Sequence, residues 1–238
     1  MRTLFHFGDS YGTVKNYENN KHFCNHIADY LEMRYVSHAF GGLSNELIFS
    51  RILDNLQYIK KNDIIFINFS FFSRGCYYDE TEKQIKSTNW LYNDIQKEKL
   101  YNEELDKNKK FINLVDYYIK HQIDYNFRLF RLIESTFNYL NQKGIKIFYI
   151  FVENSDYSND LLHFGTQIYF ENGFINWLIK NKFHLGEDVH YTNGIQKMLA
   201  DVLLRKTNNL KEDLKQNTIN ISINDIDKSK IERSSKII

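Results

Sequence analysis

Two short segments hold the residue types of nucleophilic acyl chemistry. The first is Gly8-Asp9-Ser10, directly after the apolar-rich run from Arg2 to Phe7. The second is Glu187-Asp188-Val189-His190, just ahead of an apolar-striped segment that begins at Thr192. A serine hydroxyl is a weak nucleophile at neutral pH. It needs an imidazole to take its proton and a carboxylate to orient that imidazole. Ser10 and His190 are the candidates for the first two roles, and Asp188 or Glu187 for the third. Asp188 is the favoured carboxylate, while the longer stem of Glu187 also reaches. Either would fix the tautomer of His190 and raise its basicity. Where a strand turns into a helix at such a serine, backbone N–H groups can face a developing oxyanion.

The other histidines lack that setting. His22 and His26 are four residues apart, a metal-like spacing, but no H-E-x-x-H glutamate accompanies them, and they read as flanks of a helix. His6 and His38 fall within apolar runs, His121 in a long helical segment and His163 in a loop. The two cysteines, Cys24 and Cys76, match no zinc pattern and form no disulfide framework, so they read as buried or inert thiols. No metal or organic cofactor is expected.

The elements that must position Ser10 and His190 follow from apolar periodicity. Arg2–Phe7 reads as a first buried strand and Tyr35–Phe40 as a second. Ile64–Ile67 and Ile145–Val152 are continuous apolar runs, as in parallel strands covered on both faces. Between them lie helical stripes: Phe23, Ile27 and Leu31; then Ile48, Ile52, Leu56 and Ile59 behind a Ser44 cap; then a long segment over 111–142 with Gly144 at its end. Asn154–Thr166 reads as a loop and Asn172–Lys180 as a short helix. Ile195, Met198, Leu199, Val202 and Leu203 stripe the last helix. The alternation predicts an α/β fold, a three-layer α/β/α sandwich with a parallel flavodoxin-like sheet, whose ligands sit at the carboxyl ends of the strands. The domain is expected to span 1–205, with an insertion at about 75–110 and a polar C-terminal extension over 206–238.

Composition narrows the partners. A net charge of +1 offers no bulk case for nucleic acid or an anionic membrane. No run approaches the ~20 apolar residues of a membrane span, and no secretory signal is visible at MRTLFHFGDS. A cytoplasmic protein is the default expectation, and association with a virus particle the alternative. The absence of proline and the abundance of Asn, Lys, Ile and Tyr speak of an AT-rich coding sequence rather than of function.

Taken jointly, the motifs resemble those of the SGNH (GDSL-like) hydrolases. FGDSY at 7–11 is similar to that family's first block, whose serine is the nucleophile. GGLSN at 41–45 resembles the second, whose glycine donates a backbone N–H to the oxyanion; the matching residue is Gly42. DVHYTNGIQKMLADVL at 188–203 resembles the last block, which supplies Asp and His before a terminal helix. The blocks stand in family order and bracket nearly all of 1–205. The resemblance implies a serine esterase acting on small acyl esters, including O-acetyl groups on sugars, without a cofactor. There are two departures: the family's usual Asp-x-x-His spacing would select Glu187, where the shorter Asp-x-His form selects Asp188, and the third block is altered. Where the family carries Gly-x-Asn-Asp, this chain reads Asn68-Phe69-Ser70-Phe71-Phe72-Ser73-Arg74. Ser70 or Ser73, or Asn45, is then the candidate oxyanion donor. The same departure favours the alternative of a non-catalytic glycan-binding or virion structural protein on this fold. Tyr77, Tyr78, Trp90 and Tyr92 of the insertion are of a type that stacks on sugars or packs beneath a long excursion.

Overall fold

The protein is described from a computed structural model covering residues 1–9, 21–71, 76–79, 83–87, 127–152, 165–181, 193–208, 210 and 218–226. Six strands form one all-parallel sheet. They are β1 (Thr3–Gly8), β2 (Arg34–Ser37), β3 (Ile64–Phe69), β6 (Lys146–Phe151), β7 (Thr166–Phe170) and β8 (Thr218–Ile221), in the spatial order β2-β1-β3-β6-β7-β8. Strands β4 (Cys76–Asp79) and β5 (Gln84–Ser87) form a separate antiparallel hairpin inside the insertion.

Alternation along each strand divides the core between two faces. Leu4, Ile64, Phe66, Phe148, Ile150, Ile168 and Phe170 point to one side. There they meet helices α1 (Phe23–Tyr30), α4 (Phe174–Lys180) and α5 (Asn193–Lys206). Phe5, Phe7, Ile65, Ile67, Phe69, Tyr149 and Phe151 point to the other. That side is covered by α2 (Asn45–Asn55) and by α3, the helical residues 127–142. Because both faces are covered, β3 has no solvent-facing side, and each of its six residues is buried. The result is the expected three-layer α/β/α sandwich on a flavodoxin-like sheet.

Some ends differ from the expected ones, with β2 closing at Ser37 rather than Phe40 and α2 at Asn55 short of Ile59, while local signals mark others. Gly144 takes φ +71° after α3, and the Ile145 N–H reaches back to the Leu140 carbonyl at 3.1 Å. Ser44 stands with extended backbone at the N-cap of α2, although its side chain makes no cap bond. His22 caps α1 instead of a serine or aspartate: its Nδ1 accepts from the Cys24 N–H at 3.2 Å.

Two strands escaped the apolar pattern. β7 was hidden because TQIYF is short and its middle is only two buried residues long. Its approach to β6 needs Gly165, where an added Cβ would stand 3.2 Å from the Ile147 carbonyl. β8 lies within the stretch read as a polar extension, so the domain does not end at 205. Ile219 and Ile221 are buried while Asn220 is exposed, an alternation too brief to stand out in Asn- and Lys-rich text. Leu210 and Ile226 join them in the core. Lys206 donates to the Asn220 carbonyl at 2.7 Å and pairs with Asp225 at 2.7 Å, tying this return to the end of α5. Among the described residues no helix is long and apolar enough to cross a membrane.

Gly8 of β1 faces Asn68 of β3 at close range. A Cβ at Gly8 would fall 2.8 Å from the Asn68 Cβ. Gly8→Ala is therefore expected to lower stability by about 1–3 kcal/mol through overpacking. Urea denaturation checks this, and the double variant Gly8→Ala/Asn68→Gly should recover part of the loss.

Candidate active site

In a doubly wound sheet the crevice opens where strand order reverses, here between β1 and β3. Three segments reach this edge. β1 delivers Gly8 and Asp9, β3 delivers Asn68, Phe69 and Ser70, and the chain beyond β2 delivers His38 to Gly42. The β2 extension stays paired with β1 past the strand's end: His38 N–H donates to the His6 carbonyl at 2.7 Å and Phe40 N–H to the Gly8 carbonyl at 3.0 Å. The chain then turns at Gly41-Gly42, where Gly42 takes φ +79°, and enters α2. A left-handed backbone at Gly42 is what allows this turn without a Cβ clash.

Asn45 and Ser70 lock the turn to β3. Asn45 Oδ1 accepts from the Ser70 N–H at 2.7 Å, and Asn45 Nδ2 donates to the Ser70 carbonyl at 3.1 Å. Both residues are buried. The Ser70 hydroxyl donates to Asp9 Oδ2 at 3.1 Å, and Asp9 is fully buried. These bonds form a ladder from α2 through β3 to β1. They also bear on the expected oxyanion donors. The Ser70 proton is directed at a carboxylate, and the Asn45 amide is occupied by backbone. Both side chains set the positions of the segments around the crevice, and Gly42 carries its backbone N–H at the turn they hold.

On the other face lies a second polar group. His6 Nε2 meets Asn68 Oδ1 at 3.0 Å and His6 Nδ1 meets the Tyr35 hydroxyl at 3.0 Å. Burial holds His6 neutral, its pKa lowered to about 4 against a raising effect of the Asn68 bond. With Asn68 Oδ1 accepting, the neutral ring carries its proton on Nε2 and takes the Tyr35 hydroxyl proton at Nδ1. Burial pushes the Tyr35 phenol up. The His22 ring stacks on His6 with centroids 4.1 Å apart. Above it, Phe23 N–H donates to Gln196 Oε1 at 2.6 Å, which fastens the start of α1 to the first turn of α5.

His6, His22 and Cys24 bring their ligand atoms within 4.8 Å of one another. The arrangement does not suit a metal. The two rings lie 22° from parallel, one over the other, so their in-plane lone pairs do not converge. Both nitrogens of His6 are also engaged, and His22 Nδ1 is taken up by the Cys24 N–H. Cys76 is equally inert. Burial, then the charge of Glu46 and a hydrogen bond to it, push its thiol up to about 12. Its hydrogen bond to Glu46 sets the start of β4 beside the start of α2.

Of the residues singled out in the sequence, Gly42, Asn45 and Ser70 gather at the switch point. Ser10, Ser73, Glu187, Asp188 and His190 lie outside the described residues. Asp9, Asn68 and His6 were missed. Asn68 had a readable signal: it is the sole polar residue in the strand IIFINF.

No protein-family model matches the chain, and no curated protein matches it. A solved structure, protein YxiM from Bacillus subtilis, aligns with a TM-score of 0.45 at 12% identity. The alignment covers 89% of this chain and 57% of that one, so the chain spans a little over half the length of that structure.

Two outcomes are expected. Asn45→Ala strands a buried N–H and carbonyl at Ser70, and should cost about 2–6 kcal/mol in chemical denaturation at the usual ~1–3 per unsatisfied group. His6 has its folded pKa depressed below 6.5, so the unfolded chain binds the proton first. Stability should then fall as pH drops from 6.5 toward 4, by up to roughly 3 kcal/mol. His6→Gln should flatten that segment of the curve of stability against pH.

Proposed function

We propose that the chain is a serine ester hydrolase in which Ser10 attacks an acyl carbonyl and His190 takes its proton. The observation that supports this most is the Phe23–Gln196 bond. It fastens the first turn of α5 to the start of α1. His22, at that start, stacks on His6, two residues before Gly8. Ser10 leaves β1 one residue beyond the buried Asp9, and His190 enters α5 three residues before Asn193. The starts of α1 and α5, far apart in sequence, are thus tied together, and each follows in sequence a segment that carries one of the two reacting groups.

In this reading Asp188 orients His190, with Glu187 as the other carboxylate within reach. The backbone N–H groups of Ser10 and Gly42 receive the oxyanion, and the Asn45–Ser70 ladder keeps Gly42 in place. The ester carbonyl becomes tetrahedral, then collapses to a Ser10 acyl-enzyme as the alcohol leaves with the proton held by His190. Water, deprotonated by His190, releases the acid. No metal or cofactor enters. The substrates are small acyl esters, with O-acetyl groups on carbohydrates the favoured class. A second reading, a glycan-binding module without turnover, draws on the Ser70–Asp9 bond. That bond directs to a carboxylate the proton that would otherwise supply a third oxyanion donor.

A fluorophosphonate probe separates the two readings. It should label wild-type protein at Ser10, located by peptide mass spectrometry, and Ser10→Ala should remove the label. Hydrolysis of 4-nitrophenyl acetate should rise through the imidazole range and fall by about three to four powers of ten in His190→Ala. Folded wild-type protein that takes no label would end the esterase reading.

A further inference from the structure

The half-buried Arg51 of α2 and the exposed Phe40 form a pair beside the crevice whose chemistry is not used by the steps above. Phe40 is 61% exposed, yet its backbone N–H is bonded to the Gly8 carbonyl at 3.0 Å. An aromatic ring is therefore held in solvent on the strand neighbouring the residue that precedes Asp9 and Ser10. The Arg51 guanidinium lies over this ring, 5.5 Å from its centroid. One of its nitrogens donates to the His38 carbonyl at 3.0 Å, which sets its direction. His38 in turn is stacked on Phe7, 5.1 Å away, so the platform is anchored in the core.

Among the described residues the charge on Arg51 meets no counter-charge. Glu46 of the same helix is engaged with Cys76, and Asp54, three positions on, forms no ion pair with Arg51. A guanidinium carries five N–H donors in a planar fork suited to a carboxylate. Here one direction is spent on a carbonyl and the rest of the fork remains for an anion. A half-buried guanidinium with no counter-charge among the described residues, set over an exposed aromatic ring, suits a ligand ring that carries a carboxylate.

We propose that Phe40 and Arg51 form a specificity site for acyl esters carried on an acidic sugar. The C–H face of the sugar lies on Phe40 and its carboxylate pairs with Arg51, which presents the ester to Ser10. This rests on the esterase reading for the fate of the ester, but not for the binding.

The test uses the full chain and two probes, O-acetylated methyl glucuronoside and O-acetylated methyl glucoside, which differ in the carboxylate. Calorimetric titration of Ser10→Ala should give about tenfold tighter binding of the glucuronoside. Adding Arg51→Gln should remove that preference, Arg51→Lys should restore part of it, and Phe40→Ala should weaken both sugars. In the active chain, Arg51→Gln should lower the ratio of kcat/KM for acidic over neutral substrate about tenfold, through KM. Circular dichroism of each variant confirms folding, and Arg51→Lys serves if Arg51→Gln does not fold. Equal binding of the two sugars by the Ser10→Ala protein overturns the proposal. So does a preference that survives both changes at Arg51. Charge-dependent binding without turnover by wild-type protein would leave the subsite standing and refute the esterase reading. Turnover of 4-nitrophenyl acetate without charge preference would do the reverse.

Discussion

The structure depends on the close approach of β1 and β3 at Gly8 and Asn68. Parallel strands carry side chains on both faces, and at this register one of the pair has none. Asn68 uses the vacated space to reach His6, and β1 ends one residue later at a buried carboxylate. Every other feature of the edge is referred to this contact. Asp9 fixes Ser70, Ser70 fixes Asn45, and Asn45 fixes the glycine turn that leads into α2. A displacement of β1 against β3 would be transmitted through all three.

The two faces of the sheet divide the labour around that edge. On the α2 side, amide and carboxylate groups hold backbone segments in place, and their own polar atoms are consumed in doing so. On the α1 side, imidazole, phenol and amide form a desolvated group over which the starts of two helices are tied together. Both clusters are buried and polar. Such groups specify one arrangement of the chain, because any other arrangement would strand a donor or acceptor in the core. The architecture thus supplies rigid walls to a crevice whose reactive groups are carried on the connecting segments.

Much of this was legible in the residues. The runs in β1, β3 and β6 are apolar on successive positions rather than alternate ones, as in a sheet covered on both faces, and the helical stripes between them dictate crossovers. Gly41-Gly42, Asn45 and Ser70 were legible as neighbours through the family resemblance. Their division of roles was not, because it depends on which donor meets which acceptor across 25 positions of chain. His22 as a helix cap was equally hidden, since imidazole is a rare cap and its ring accepts only when neutral. β8 was lost for a different reason. Two isoleucines in TINI carry its burial, and their meaning comes from Leu210 and the flank of α5, which no local window contains.

The place of β8 has a practical corollary. It lies on the outer side of β7 and occupies the backbone hydrogen-bonding groups that β7 would otherwise turn to solvent. A chain cut after α5 would present an open ladder beside bared isoleucine and leucine contacts, a template on which a second molecule can dock strand to strand. The C-terminal segment is thus a safeguard against self-association as well as a part of the core, and expression designs that trim it at the end of the last helix would trade a solvated rim for an adhesive one.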